Sequence, residues 1–371
     1  MDLKIIIVPL SIFFLQSCVQ HQAKSYPSQV HEISDTVEVK YAEGFEVRYE
    51  YGGLTITTHS IASNTPFTDS LFILTNPEAD ISLKFHTLSS GIDAIACQSS
   101  THVAFLNALN KVELVAGLCG MEYVQNSQIN AALVENNVTE ICAAEQVDIE
   151  VLQKLNTDLF LIYPFETEGR VKYDAAGIRT FFIAEYLEQT ALARLEWIKL
   201  FGLITGKAKE ANVYFEKVES EYLSLINSNK KSNSKFILNL PYKESWFMPS
   251  ANSMIVNLIE DAGLSYYYPS SEITENETRS TEAVWNDAMF AEYWIIMASR
   301  SSDFSLEDLL AEEPVYKEFL AVKKNQVIFC NTATSDYFVQ GVVEPQIILK
   351  DILLATGQLT DHHPKYFSIL K

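Results

Sequence analysis

Four consecutive hydrogen-bonding side chains, Ser99, Ser100, Thr101 and His102, follow the apolar run Ala94-Ile95-Ala96-Cys97. Hydroxyls and an imidazole in that order can cap a helix or hydrogen-bond a polar ligand, and His102 could ligate a metal. A bare zinc or manganese ion needs about four His, Glu or Asp ligands. The other histidines are His21, His31, His59, His86, His362 and His363, and they do not sit in loops that would complete such a set. No metal site is assigned, and helix capping or a hydrogen bond to a ligand is the expected role of His102. Cys97, Cys119, Cys142 and Cys330 form no close CxxC pair, so a zinc knuckle is unsupported. An oxidising compartment would permit disulfides, but spacing assigns none, and buried free thiols are the preferred reading. The chain has no G-x-S-x-G elbow, no Walker loop and no H-E-x-x-H. The Glu312-Glu313 pair falls in a polar turn. The expectation is that the chain is not an enzyme and carries no cofactor.

The elements that must position these residues are legible in outline. Of 371 residues, 48% are hydrophobic and 20% charged, so the chain is globular, and its length favours more than one domain. A formal net charge of -21 disfavours nucleic acid and anionic membrane surfaces as partners. Ile5 to Leu15 is apolar but too short for a membrane span, and it ends in Leu15-Gln16-Ser17-Cys18. That ending resembles a bacterial lipobox, which implies cleavage before Cys18, lipidation of Cys18, and a polar tether over 18–36. Val37 to Leu74 reads as strands around a Gly52-Gly53 turn, a small β appendage over 37–76. The chain to residue 190 alternates strand and helix, as in an α/β lobe with a mostly parallel sheet. Residues 231–371 repeat the plan. Between them, 191–230 is helical. Ala208, Ala211, Phe215, Val218, Tyr222 and Leu225 recur every three or four residues, which predicts one long helix over about 207–227. The expected architecture is α/β: two Rossmann-like lobes joined by that helix.

Several stretches carry a resemblance. Ser99-Ser100-Thr101-His102 after a strand, Val147-Asp148-Ile149-Glu150 before a helix, and Leu152 to Tyr163 resemble the first lobe of the helical-backbone substrate-binding proteins of bacterial ABC importers. Those proteins receive cobalamin, ferric siderophores or haem. Glu185-Tyr186-Leu187-Glu188, Arg194 to Ile198, Gly202, Gly206 and Tyr214-Phe215 look like the lead into that family's linking helix. Trp246-Phe247-Met248-Pro249 with Ser253, and Asp261-Ala262-Gly263, resemble its second lobe, and Lys350-Asp351 its closing helix. The likeness covers roughly residues 80–371, and the lipoprotein start and appendage resemble the Bacteroidetes branch. Glu344-Pro345-Gln346 and Pro249-Ser250-Ala251-Asn252 depart from the family pattern near the expected ligand and lobe contacts. They keep open a non-transport interaction lipoprotein that retains the fold. A free zinc or manganese receptor of the same architecture is the other alternative.

The resemblance implies a metal chelate bound between lobes, at loops after the carboxyl ends of strands, which is also the general rule for open α/β sheets. Ser99, Ser100, Thr101, His102, Tyr123, Tyr163 and Tyr186 would face it from the first lobe. Tyr242, Trp246, Ser253 and Tyr267 would face it from the second. Basic residues near these loops are sparse, which favours a neutral or weakly charged chelate such as cobalamin over a catecholate. The resemblance further implies an ABC permease and ATPase as partners, met by acidic residues on each lobe: Glu166 and Glu168 on the first, Glu260 on the second. The expected protein is a monomer, lipid-anchored at Cys18 in the cell envelope and facing the periplasm.

Overall fold

Short runs of buried, mostly apolar residues, Ile95–Cys97, Leu159–Ile162 and Thr180–Phe182 among them, form the first parallel sheet in a computed structural model of the chain. The structure describes residues 36–61, 66–76, 86–89, 92–143, 146–165, 167–268 and 275–371. Cys18 and Glu166 lie outside the described residues. Across the first sheet the strand order is Thr180–Phe182, Leu159–Ile162, Ile95–Cys97, Val115–Leu118, Thr139–Glu140, and all neighbours run parallel. Parallel neighbours require crossovers. Helices Ser100–Ala108, Ser127–Glu135, Ile149–Leu155 and Thr167–Ala175 supply them. Asn126 and Asp148 each accept two first-turn N–H groups of the helix that follows, so these starts are set locally. Strands covered on both faces need no polar alternation, and every residue of Leu159–Ile162 is buried.

The second sheet runs Ser265–Tyr266, Lys235–Leu238, Tyr293–Ala298, Val327–Asn331, Ser368–Ile369; only the last strand is antiparallel to its neighbour. In each lobe the strand first in the chain has later strands on both sides. That reversal of strand order opens a crevice outside the carboxyl ends of the strands. The closing helix Pro345–Ala355 buries Asp351, which accepts the N–H groups of Lys365, Tyr366 and Phe367 and pins the C-terminal segment.

Helix Ala208–Ser228 links the lobes. Its buried residues are Ala211, Phe215, Val218 and Tyr222, one stripe at spacings of three and four. Tyr214 Oη donates to Val343 O at 3.0 Å, Tyr222 Oη donates to Asp261 Oδ2 at 2.8 Å, and Glu221 pairs with Lys350. The helix is therefore fastened along its length to the second lobe. At its start, Gly202 lets the preceding helix approach closely: a Cβ there would lie 2.6 Å from Ala211 Cβ.

The appendage is a four-stranded sheet, Phe45–Glu50, Gly53–His59, Thr68–Leu74 and His86–Ser89 in order, with the last pair parallel. Val37 to Tyr41, expected as a strand, is not one. Two buried carboxylates take the backbone N–H groups a ladder would use. Glu196 accepts those of Lys40, Tyr41 and Ala42, and Glu188 those of Glu43 and Gly44. Lys199 Nζ lies 2.6 Å from Glu196 and balances its charge. Among the described residues, no helix is long and apolar enough to cross a membrane.

Candidate functional site

Strands Ile95–Cys97 and Leu159–Ile162 are neighbours at the point where the first sheet's order reverses, and their ends are tied together. The Tyr163 N–H donates to Gln98 Oε1 at 2.8 Å. Ser99 caps helix Ser100–Ala108, its Oγ accepting the Thr101 N–H at 3.2 Å. Thr101 Oγ1 donates to Glu185 Oε1 at 2.9 Å, and Arg194 lies 3.4 Å from the same oxygen. Ser99, Thr101 and Glu185 are buried, so this chain of polar groups forms a rigid floor.

A cavity of about 680 Å³ opens above the floor. Tyr163 and Phe165 line one side with rings stacked at 5.0 Å, and Tyr186 meets Tyr163 edge-on at 5.3 Å. Burial, then the charge of Glu185, pushes the Tyr186 phenol up to about 12, and burial raises Tyr163 too. Both phenols are therefore neutral at physiological pH. Another side is the Cys119–Cys142 disulfide. Glu140 staples its surroundings, accepting the N–H groups of Gly120, Met121 and Cys142 at 3.0, 2.9 and 3.1 Å. Gly120 takes a left-handed φ of 76°, and a Cβ there would lie 2.5 Å from the Tyr123 ring. A smaller cavity of about 260 Å³ shares Ser100 and Tyr123 with the first and reaches Thr332, Asp336 and Phe338 of the second lobe.

The structure sorts the expected site residues. Ser99, Ser100, Tyr123 and Tyr163 line the larger cavity. Thr101 lies in the floor and Tyr186 abuts Tyr163. His102 is fully buried, 5.9 Å from both Tyr163 and Phe201, and neither ring nitrogen meets a partner among the described residues. It makes no cap bond and is not among the residues lining either cavity, because its place in the first helical turn points it into the core. Burial lowers its pKa to about 4. Trp246, expected at the cleft, is a core residue: fully buried, with its indole N–H donating to Leu238 O at 2.8 Å. Tyr242 is 74% exposed on a short hairpin, with the Lys243 ammonium 5.2 Å above its ring. Ser253 precedes helix Met254–Asp261, but its hydroxyl makes no cap bond. Tyr267 packs on Tyr268 at 5.3 Å. None of these four second-lobe residues is among the described residues lining either cavity. Glu260 is exposed and accepts the Tyr266 N–H at 3.1 Å, and Glu168 falls in helix Thr167–Ala175.

The second lobe instead reaches the cleft through Thr332, Asp336 and Phe338, after strand Val327–Asn331. The rule that placed Ser99 and Tyr163 at strand ends applies equally to that strand and would have found them. The cysteines also correct the reading: among the described residues, only Cys97 and Cys330 are buried free thiols. Cys119, Glu140 and Cys142 bring ligand-type atoms within 4.8 Å of one another. The sulfurs are bonded to each other, and metal ligation needs thiolate.

The fold has relatives. The chain is 26% identical over 294 residues to an uncharacterised lipoprotein of Methanocaldococcus jannaschii, covering 76% of this chain and 68% of that one. A structure from the ABC-type Fe3+-hydroxamate transport system of Saccharomonospora viridis matches with a TM-score of 0.56 at 17% identity, over 73% of this chain and 95% of that one. The periplasmic vitamin B12 binding protein of Vibrio cholerae matches with a TM-score of 0.53 at 12% identity, over 73% and 99%. At these identities the two structures speak to fold alone. The family model described as periplasmic binding protein matches residues 95–334, from the first strand of the first lobe to beyond the last parallel strand of the second, and the chain belongs to that family.

Proposed function

We propose that this protein is the solute-binding component of an ABC import system, capturing a metal chelate (cobalamin, ferric siderophore or haem) between its lobes for delivery to a membrane permease. Members of the family bind solutes and do not catalyse reactions. The observation that carries the reading is the cavity of about 680 Å³ at the strand-order reversal, over a capped, hydrogen-bonded floor and beside the Tyr163 and Phe165 rings. Aromatic faces give a flat chelate large contact area at little rotamer cost. A free zinc or manganese site fits less well, since His102 is sealed in the core and the cysteines beside Glu140 are disulfide-bonded. In this reading Cys18 anchors the chain to the envelope, facing the periplasm, and Glu166, Glu168 and Glu260 are the acidic residues offered to the permease.

A thermal-shift screen with cobalamins, haem and ferric siderophores tests it. A ligand at 100 times its dissociation constant stabilises the folded state by about 2.7 kcal/mol. No shift with any of them would overturn the reading.

A further inference from the structure

We propose that the cleft selects chelates carrying net positive charge and rejects those with free carboxylates or catecholates. This rests on the solute-binding reading and names the charge class of its ligand.

The charged groups lining the two cavities are Glu122 and Glu140 in the larger and Asp336 in the smaller; among the described residues, no Lys or Arg lines either. Cations near these loops are already committed. Arg194 is paired with Glu185 at 3.4 Å, Arg300 with Glu312 at 3.1 Å, and Lys365 with Glu344. The positive end of helix Ser100–Ala108 is met by the Ser99 hydroxyl and faces buried Glu185 through Thr101.

The three carboxylates differ in what they can still do. Glu140 is used up by three backbone N–H groups. Glu122 is exposed beside Tyr123. Asp336 is the distinctive group. Both its oxygens are buried and make no hydrogen bond of good geometry among the described residues. Burial penalises its charge more than the backbone N–H groups of Gln125 and Asn126, the Lys365 ammonium and the Asn126 side chain together ease it. A buried carboxylate short of partners gains most from a cation and loses most from an anion.

The aromatic residues point the same way. Tyr123, Phe165 and Phe338 line the cavities while 62%, 58% and 62% exposed. Ring faces are negative and attract cations. Carboxylates and ring faces without a free cation suit a cationic metal centre or a ligand ammonium. The same surface leaves the propionates of haem or the oxygens of a tris-catecholate without a counter-charge.

Two scaffolds test the charge directly. Aquocobalamin and cyanocobalamin differ by one positive charge, as do ferrioxamine B and its N-acetylated form. Calorimetric titration of the full chain with all four, with haem and with a ferric tris-catecholate gives the charge order. On whichever scaffold binds, the cationic member should bind on the order of tenfold tighter than the neutral one. The gap should narrow at high salt and in Asp336→Asn and Glu122→Gln, each checked for an unchanged thermal midpoint. Equal affinity within a pair, or haem or the tris-catecholate binding as tightly as the cationic member, overturns the charge inference and leaves the solute-binding reading standing. No binding of any chelate to the folded chain overturns both.

Discussion

Burial holds the His102 imidazole neutral, with a pKa lowered from 6.5 to about 4 and the charge of Glu185 opposing the shift only in part. As pH falls below 6.5 the unfolded chain takes up this proton first. The stability His102 contributes is therefore complete above that pH and is lost as pH drops toward about 4. His102→Leu should remove up to about 3 kcal/mol of that pH dependence, read as a flatter plot of urea-unfolding free energy between those two pH values. An unchanged slope would mean the imidazole is not held neutral. The sequence placed His102 among cleft residues because its type and its polar neighbours point outward. Its direction depends on the turn of the helix it sits in and on Phe201, which lies 99 positions later, 201 − 102, and packs against its ring. Trp246 has the same ambiguity, since an indole suits a core and a ligand wall equally well.

The linking helix was legible because its signal is local: apolar residues at helical spacing with no internal Gly or Pro. What the spacing does not show is how closely its start is packed. A Cβ at Gly202 would lie 2.6 Å from Ala211 Cβ and 2.9 Å from the Lys207 carbonyl oxygen. Gly202→Ala should destabilise by about 1–3 kcal/mol through this overlap, measured by equilibrium denaturation. A neutral result would show that the two helices can separate there. The reverse case is Val37 to Tyr41, whose composition reads as a strand. The N–H groups of Lys40 and Tyr41 are claimed by Glu196, about 155 positions away in the chain, so no window around the segment could reveal the loop.

At the scale of the whole molecule, two lobes share a helix of 21 residues bonded along its length to the second lobe. A rigid strut resists the hinge closure that flexible strand connections permit. Crystal structures with and without a bound chelate should differ by a lobe rotation below about 30°, and a larger rotation would show that the helix bends or its contacts break. The α/β class, the alternation within each lobe and the linking stripe follow from the sequence by itself, because hydrophobic periodicity and breaker residues act over a few positions. The first-lobe strand-end loop at Ser99 and Ser100 was legible for the same reason. The Cys119–Cys142 bond, the burial of His102 and Trp246, and the meeting of Asp336 with Gln125 and Asn126 were decided only by tertiary structure. Each depends on which distant segments pack together, and a side chain's type does not state what will stand opposite it.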